Sequence, residues 1–100
     1  MFVALERLIN LQDGYRGTFQ VQGRQLLLIV VDQQPILMEN RCPHQGAPLH
    51  TGTLDGGVLR CSRHGIAFDL ANGGHLVNAP CPPLQRLRLA YDGDCIGLDL

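Results

Sequence analysis

The sequence predicts an all-β domain. Apolar residues fall in short runs, and glycine, proline, asparagine and aspartate interrupt those runs at short intervals. The composition, 45% hydrophobic and 17% charged, is that of a globular chain, and 100 residues make a single domain over 1–100 the default. Phe2 to Leu8 reads as a weak first strand, with a helical turn or two over Leu5 to Leu11 as the alternative. Gly17 to Val21 and Gln25 to Val31 read as strands either side of Gln22-Gly23-Arg24. Asp32-Gln33 then turns the chain into Pro35 to Glu39. Gly56-Gly57 precedes a short strand, Val58-Leu59-Arg60, and Ile66 to Leu70 forms another, closed by Asn72-Gly73-Gly74. Leu84, Leu87 and Leu89 mark a later strand, and Tyr91 to Leu98 a last hairpin across Asp92-Gly93.

Bulk properties exclude several function classes. A formal net charge of -1, with no run of basic residues, is unlike the footprint of a nucleic-acid binder. The longest apolar run, Leu26 to Val31, is far too short to span a bilayer. Glu6 and Arg7 interrupt the apolar start, so no export signal is expected and the expected setting is the cytosol. In a reducing compartment, four cysteines (Cys42, Cys61, Cys81 and Cys95) near histidines suggest metal rather than a disulfide scaffold.

The segment from about Asn40 to Pro83 stands apart. It holds all four histidines, three of the four cysteines and five of the six prolines, the composition of a loop-rich subdomain set into a plainer β framework. Two motifs within it carry chemistry: Cys42-Pro43-His44 and Cys61-Ser62-Arg63-His64, with Gly46 and Gly65 close behind. Each supplies one thiolate and one imidazole, ligands suited to iron and to zinc. A structural zinc site usually pairs Cys with Cys and His with His at knuckle spacings. A binuclear centre with two Cys on one iron and two His on the other needs two loops of mixed ligands, because each loop reaches across both metals.

The stretches Cys42-Pro43-His44-Gln45-Gly46-Ala47-Pro48-Leu49 and Cys61-Ser62-Arg63-His64-Gly65-Ile66-Ala67-Phe68-Asp69 resemble the two-loop signature of Rieske proteins. Gly52, Leu54-Asp55-Gly56, Gly73 and Pro80 to Leu84 also resemble that family, so the specific match covers about positions 40–85. The resemblance implies three antiparallel sheets with a loop-rich cluster-binding subdomain at about 40–83. It implies one [2Fe–2S] cluster on Cys42, His44, Cys61 and His64, with the two histidines near solvent, where electrons leave. Two ferric ions, two sulfides and two thiolates sum to zero charge, so an added electron meets less repulsion than in a four-thiolate centre. Rieske potentials accordingly run from about −150 to +300 mV, against roughly −400 mV for plant-type ferredoxins.

Departures from the high-potential pattern matter. Respiratory relatives carry a disulfide cysteine in each loop where this chain has Ala47 and Arg63, and hydrogen-bonding serine and tyrosine where it has Ile66 and Phe68. Fewer donors to the cluster stabilise the reduced form less, so the expected potential lies near about −150 mV. The resemblance is to the ferredoxin subtype that serves oxygenases. It implies a non-catalytic carrier taking one electron from a flavin-dependent reductase and passing it to a terminal oxygenase, with no nucleic-acid or membrane partner. A small subunit of a multicomponent oxidoreductase such as nitrite reductase, a zinc-stabilised interaction module and a redox sensor are the alternatives.

The remaining candidates have plain structural readings. Cys81, between Pro80 and Pro82, reads as an apolar filler and Cys95 as a core residue; a bond between them is disfavoured by compartment. His50 and His75 read as surface loop residues outside the ligand set. Leu49, Ile66 and Phe68 read as an apolar docking rim, or Phe68 as core, and Arg86 and Arg88 as a solvated strand face.

Overall fold

A computed structural model describes residues 1–42, 46, 48–61, 66–70, 75–76 and 86–100. Its strands are β1 (Phe2–Arg7), β2 (Arg16–Val21), β3 (Arg24–Val31), β4 (Gln34–Glu39), β5 (Thr53–Asp55), β6 (Val58–Arg60), β7 (Ala67–Asp69), β8 (His75–Leu76), β9 (Arg86–Leu87), β10 (Ala90–Asp92) and β11 (Cys95–Asp99). They form the three antiparallel sheets that the sequence led us to expect, ordered β1-β11-β10, β2-β3-β4-β9 and β5-β6-β7-β8. No helix among the described residues is long and apolar enough to cross a membrane.

The hairpins follow from their turn residues. Val21 pairs with Arg24, Val31 with Gln34 and Asp55 with Val58, leaving two-residue loops. All six loop residues have positive φ: Gln22 and Gly23, Asp32 and Gln33, Gly56 and Gly57. That is the type I′ geometry, whose twist matches that of the flanking strands. The last hairpin turns on Gly93-Asp94, one residue later than the sequence suggests, because Asp92 pairs with Cys95.

The central sheet is the middle layer. In β3, Leu26 to Val31 are all buried. Side chains alternate across a strand. Leu27, Ile29 and Val31 accordingly join one apolar cluster with Ile36 and Met38, while Leu26 and Leu28 join another with Leu37. The second cluster continues into the β1-β11-β10 sheet through Ile96 and Leu98. The first continues into the β5-β6-β7-β8 sheet through Leu59 and Phe68, and it also contains Cys42 and Cys61. A strand covered on both faces reads as an unbroken apolar run. That accounts for the run Leu26 to Val31.

Four elements differ from the sequence reading, one of them β8, which puts His75 in a strand paired with β7 rather than in a loop. The first strand ends at Arg7 and a 3₁₀ turn follows over Leu8–Asn10, where the Leu8 N–H donates to the Asp94 carbonyl (2.7 Å) and turns the chain off the sheet. β5 was not anticipated, since it offers a single apolar residue, Leu54. The Leu84–Leu89 strand shortens to Arg86–Leu87, which pairs with Leu37 and Met38; Leu84 lies outside the described residues.

Candidate metal centre

Both cysteines sit where strands end. β4 stops at Glu39 and Cys42 follows within three residues; Cys61 directly follows β6. Their exposures are 2% and 1%, and both belong to the apolar cluster between the central sheet and the β5-β6-β7-β8 sheet. Backbone hydrogen bonds tie each cysteine to a residue a few positions downstream. The Gly46 N–H donates to the Cys42 carbonyl at 2.7 Å, with Gly46 at φ +77°, and the Cys61 N–H donates to the Ile66 carbonyl at 2.7 Å. Two soft donors in a dry apolar site suit a thiophilic metal, and their burial excludes water from it. The donor set therefore fits the sulfur half of a mixed thiolate–imidazole centre. His44 and His64 lie outside the described residues, as do Ala47, Arg63, Cys81 and the segment 77–85.

The first loop is held from outside by two side chains. Asn40, at the end of β4, accepts at Oδ1 from the backbone N–H groups of Leu49 (2.8 Å) and His50 (2.9 Å). Its Nδ2 lies 2.8 Å from His50 Nδ1. Leu49 is fully buried, so without that acceptor its N–H would be stranded at a cost of about 1–3 kcal/mol. Arg16 of β2 donates through Nη1 to the carbonyls of His50 (2.8 Å) and Gly52 (2.6 Å). Gly52 packs against the strand that leads to Cys61: a Cβ there would overlap the Arg60 carbonyl oxygen. A groove beside this loop is lined by Arg24, Gln25, Glu39, Asn40, Arg41 and Gly46, and Arg24 and Glu39 in that lining form an ion pair (2.5 Å).

Several readings change at this level. Leu49, Ile66 and Phe68 are all buried in the apolar cluster, so they are not a docking rim. They cannot be, because they fill the layer between two sheets. His50 is exposed, as expected, but it is tied into the loop by Asn40. Arg86 and Arg88 are exposed, yet the Arg86 guanidinium also donates to the Leu70 carbonyl. Cys95 is a half-buried free thiol rather than a core residue; its Sγ donates to Asp94 Oδ1 at 3.6 Å, and burial, then that carboxylate, raise its pKa. Asn40 and Arg16 escaped the sequence reading. An asparagine two residues before a ligand motif is a faint local signal, whereas Arg16 is remote in sequence and leaves none.

Comparison with known proteins adds the following. The family model described as Rieske [2Fe-2S] domain matches residues 2–88. A Sphingomonas yanoikuyae B1 ferredoxin superposes with TM-score 0.84 at 25% identity, over 100% of this chain and 99% of that one. A chain of the complex of reduced oxygenase and oxidized ferredoxin in carbazole 1,9a-dioxygenase superposes with TM-score 0.80 at 28% identity, over 94% of this chain and 97% of that one. The ferredoxin component of the naphthalene 1,2-dioxygenase system of Pseudomonas aeruginosa is 26% identical over 80% of this chain and 77% of its own length. The first curated relatives are much longer, and this chain spans 10–17% of their length.

Proposed function

The chain belongs to the Rieske [2Fe-2S] domain family, whose cofactor is one [2Fe–2S] cluster, and from that premise we propose that it is a one-electron carrier feeding a terminal oxygenase. The family match over residues 2–88 carries this reading. Similarity to a chain of the carbazole 1,9a-dioxygenase oxygenase–ferredoxin complex and to the ferredoxin component of a naphthalene 1,2-dioxygenase system, over 97% and 77% of their lengths, supports the oxygenase as recipient. Cys42 and Cys61 hold one iron and His44 and His64 the other, a ligand set supported by the motif spacing and by the shared burial of the two cysteines. When bound, the cluster stores and releases one electron at a time.

The chain's own residues do the rest. Cys42 and Cys61 would hold their iron against a dry apolar wall. Ile66 and Phe68 bring no donor to it, which keeps the potential low, near about −150 mV. Asn40 and Arg16 hold the first loop in place. The protein acts in the cytosol without catalysing a reaction alone. A flavin-dependent reductase supplies the electron, and contacts with both partners are small and transient, as redox encounters are.

Anaerobic purification followed by iron and acid-labile sulfide analysis tests the reading. Two irons and two sulfides per chain, with a rhombic Rieske-type EPR spectrum after reduction, are expected. Colourless protein carrying a single zinc would overturn it.

A further inference from the structure

We propose that the groove beside Cys42 docks an acidic segment of a redox-partner protein, with Arg41 as the residue that receives its carboxylate. The proposal rests on the electron-carrier reading for who the partner is; the groove itself rests on charge and position. All eight basic residues of the sequence are arginines. Several of these guanidiniums are committed within the fold. Arg7 pairs with Asp94 and Arg24 with Glu39, while Arg16 donates to the His50 and Gly52 carbonyls and Arg86 to the Leu70 carbonyl. Arg41 and Arg88 are exposed and make no ion pair among the described residues. Of the two, Arg41 lines the groove, and it directly precedes Cys42. Its Nε lies over Gly46, 3.5 Å from where a Cβ on that glycine would stand.

The other charges of the lining, Arg24 and Glu39, offset each other through their ion pair. Among the described residues the groove is therefore left with one uncompensated positive charge. A guanidinium is a planar fork that takes a carboxylate through two parallel hydrogen bonds. The volume, about 680 Å³, has room for a segment of several side chains around that contact. The sheet on the other face of β3 has the reverse balance. It carries Glu6, Asp92, Asp94 and Asp99 against Arg7 and the Met1 amino group. An acidic partner is thus repelled by that sheet and turned towards the side that holds Cys42. A nucleic acid needs several phosphate contacts at once, more than this groove supplies in a chain of net charge -1, so a protein carboxylate is the better fit.

The test titrates the oxidised protein, as purified, with a hexaglutamate peptide at low salt and reads backbone ¹⁵N–¹H shifts. Saturable shifts are expected at Arg24, Gln25 and Arg41. Arg41→Gln should weaken binding about threefold, the size of effect an exposed ion pair gives. Arg88→Gln removes the same charge outside the groove and should leave binding unchanged. Glu39→Gln takes away the groove's own carboxylate and should tighten it. A second readout uses the reduced protein, whose cluster gives one electron to hexacyanoferrate(III) and leaves hexacyanoferrate(II). Arg41→Gln should slow that oxidation and speed the one by tris(phenanthroline)cobalt(III), a cation, with Arg88→Gln moving both rates less. Peptide binding that Arg41→Gln leaves unchanged, or equal effects of Arg41→Gln and Arg88→Gln, would overturn the docking groove. Tighter binding of a short DNA duplex than of the peptide would overturn it as well. A chain that purifies with zinc in place of iron defeats the electron-carrier reading instead, and the peptide titration still decides the groove.

Discussion

Phe68 is fully buried in the cluster that contains Cys42 and Cys61, and its ring has no hydrogen to donate. Phe68→Tyr adds one donor. A hydrogen bond is worth about 1 kcal/mol net, and about 1.4 kcal/mol corresponds to 59 mV for one electron. The potential should therefore rise by about 40 mV in an equilibrium redox titration; an unchanged value would place the hydroxyl away from the cluster. Glu6 offers a second residue-scale prediction, far from the metal. Asn10, the Arg7 backbone N–H and Tyr15 all donate to its carboxylate, at 2.8–2.9 Å, and in that order they hold its pKa below the ordinary 4.5. A depressed folded pKa means stability present above pH 4.5 and lost as pH falls through the folded value. Glu6→Gln should flatten the acid limb of the unfolding curve in that window. Its partner Tyr15 is pushed up to about 12, by burial first and by Glu6 second. That contribution is complete below pH 10 and lost as pH rises towards 12. Ultraviolet titration of Glu6→Gln should show Tyr15 ionising at lower pH than in wild type.

Turn chemistry governs the elements. At Asp32 and Gln33 the β3–β4 hairpin puts two residues with side chains at φ +50° and +64°, where glycine or asparagine is the usual choice. The Gln33 backbone N–H donates to Asp13 Oδ1 at 3.2 Å, a bond that survives replacement of the side chain. The left-handed conformation costs a residue with a Cβ about 1–2 kcal/mol, and glycine gives back roughly 0.5–1 kcal/mol as entropy of the unfolded chain. Gln33→Gly should therefore stabilise the protein by about 0.5 kcal/mol, read as a raised melting temperature. The same turns explain which strands were legible. β2, β3 and β4 carry strong apolar residues between turn signals and fall close to where the sequence places them. β5 and β9 hold few apolar residues and exist because neighbours offer a free edge: β5 pairs with β6, and β9 with Leu37 and Met38 of β4. Pairing partners distant in sequence have no local signature.

Across the whole molecule, β3 divides two apolar layers, and its two faces make different predictions. Leu28 points into the layer shared with the β1-β11-β10 sheet, and Ile29 into the layer that holds Cys42 and Cys61. Both are fully buried, so truncation to alanine should cost about 2–5 kcal/mol at either position in denaturant unfolding. Ile29→Ala should in addition speed cluster loss at temperatures where the fold is intact, because its cavity opens against the cysteine layer. Leu28→Ala should leave that rate near wild type. Equal acceleration by both would show that global stability, rather than the wall behind the metal, sets cluster retention.

Composition and turn spacing alone determined an all-β chain, and two mixed Cys/His motifs alone determined what chemistry to expect, because ligand identity and spacing are covalent facts. Only tertiary structure decided that Cys42 and Cys61 share one dry layer, that Leu49, Ile66 and Phe68 fill it, and that Asn40 and Arg16 close the loop. Burial and hydrogen bonding between β2, β4 and the loop depend on which segments meet, and that is settled by packing two faces of one central sheet rather than by any neighbouring residue.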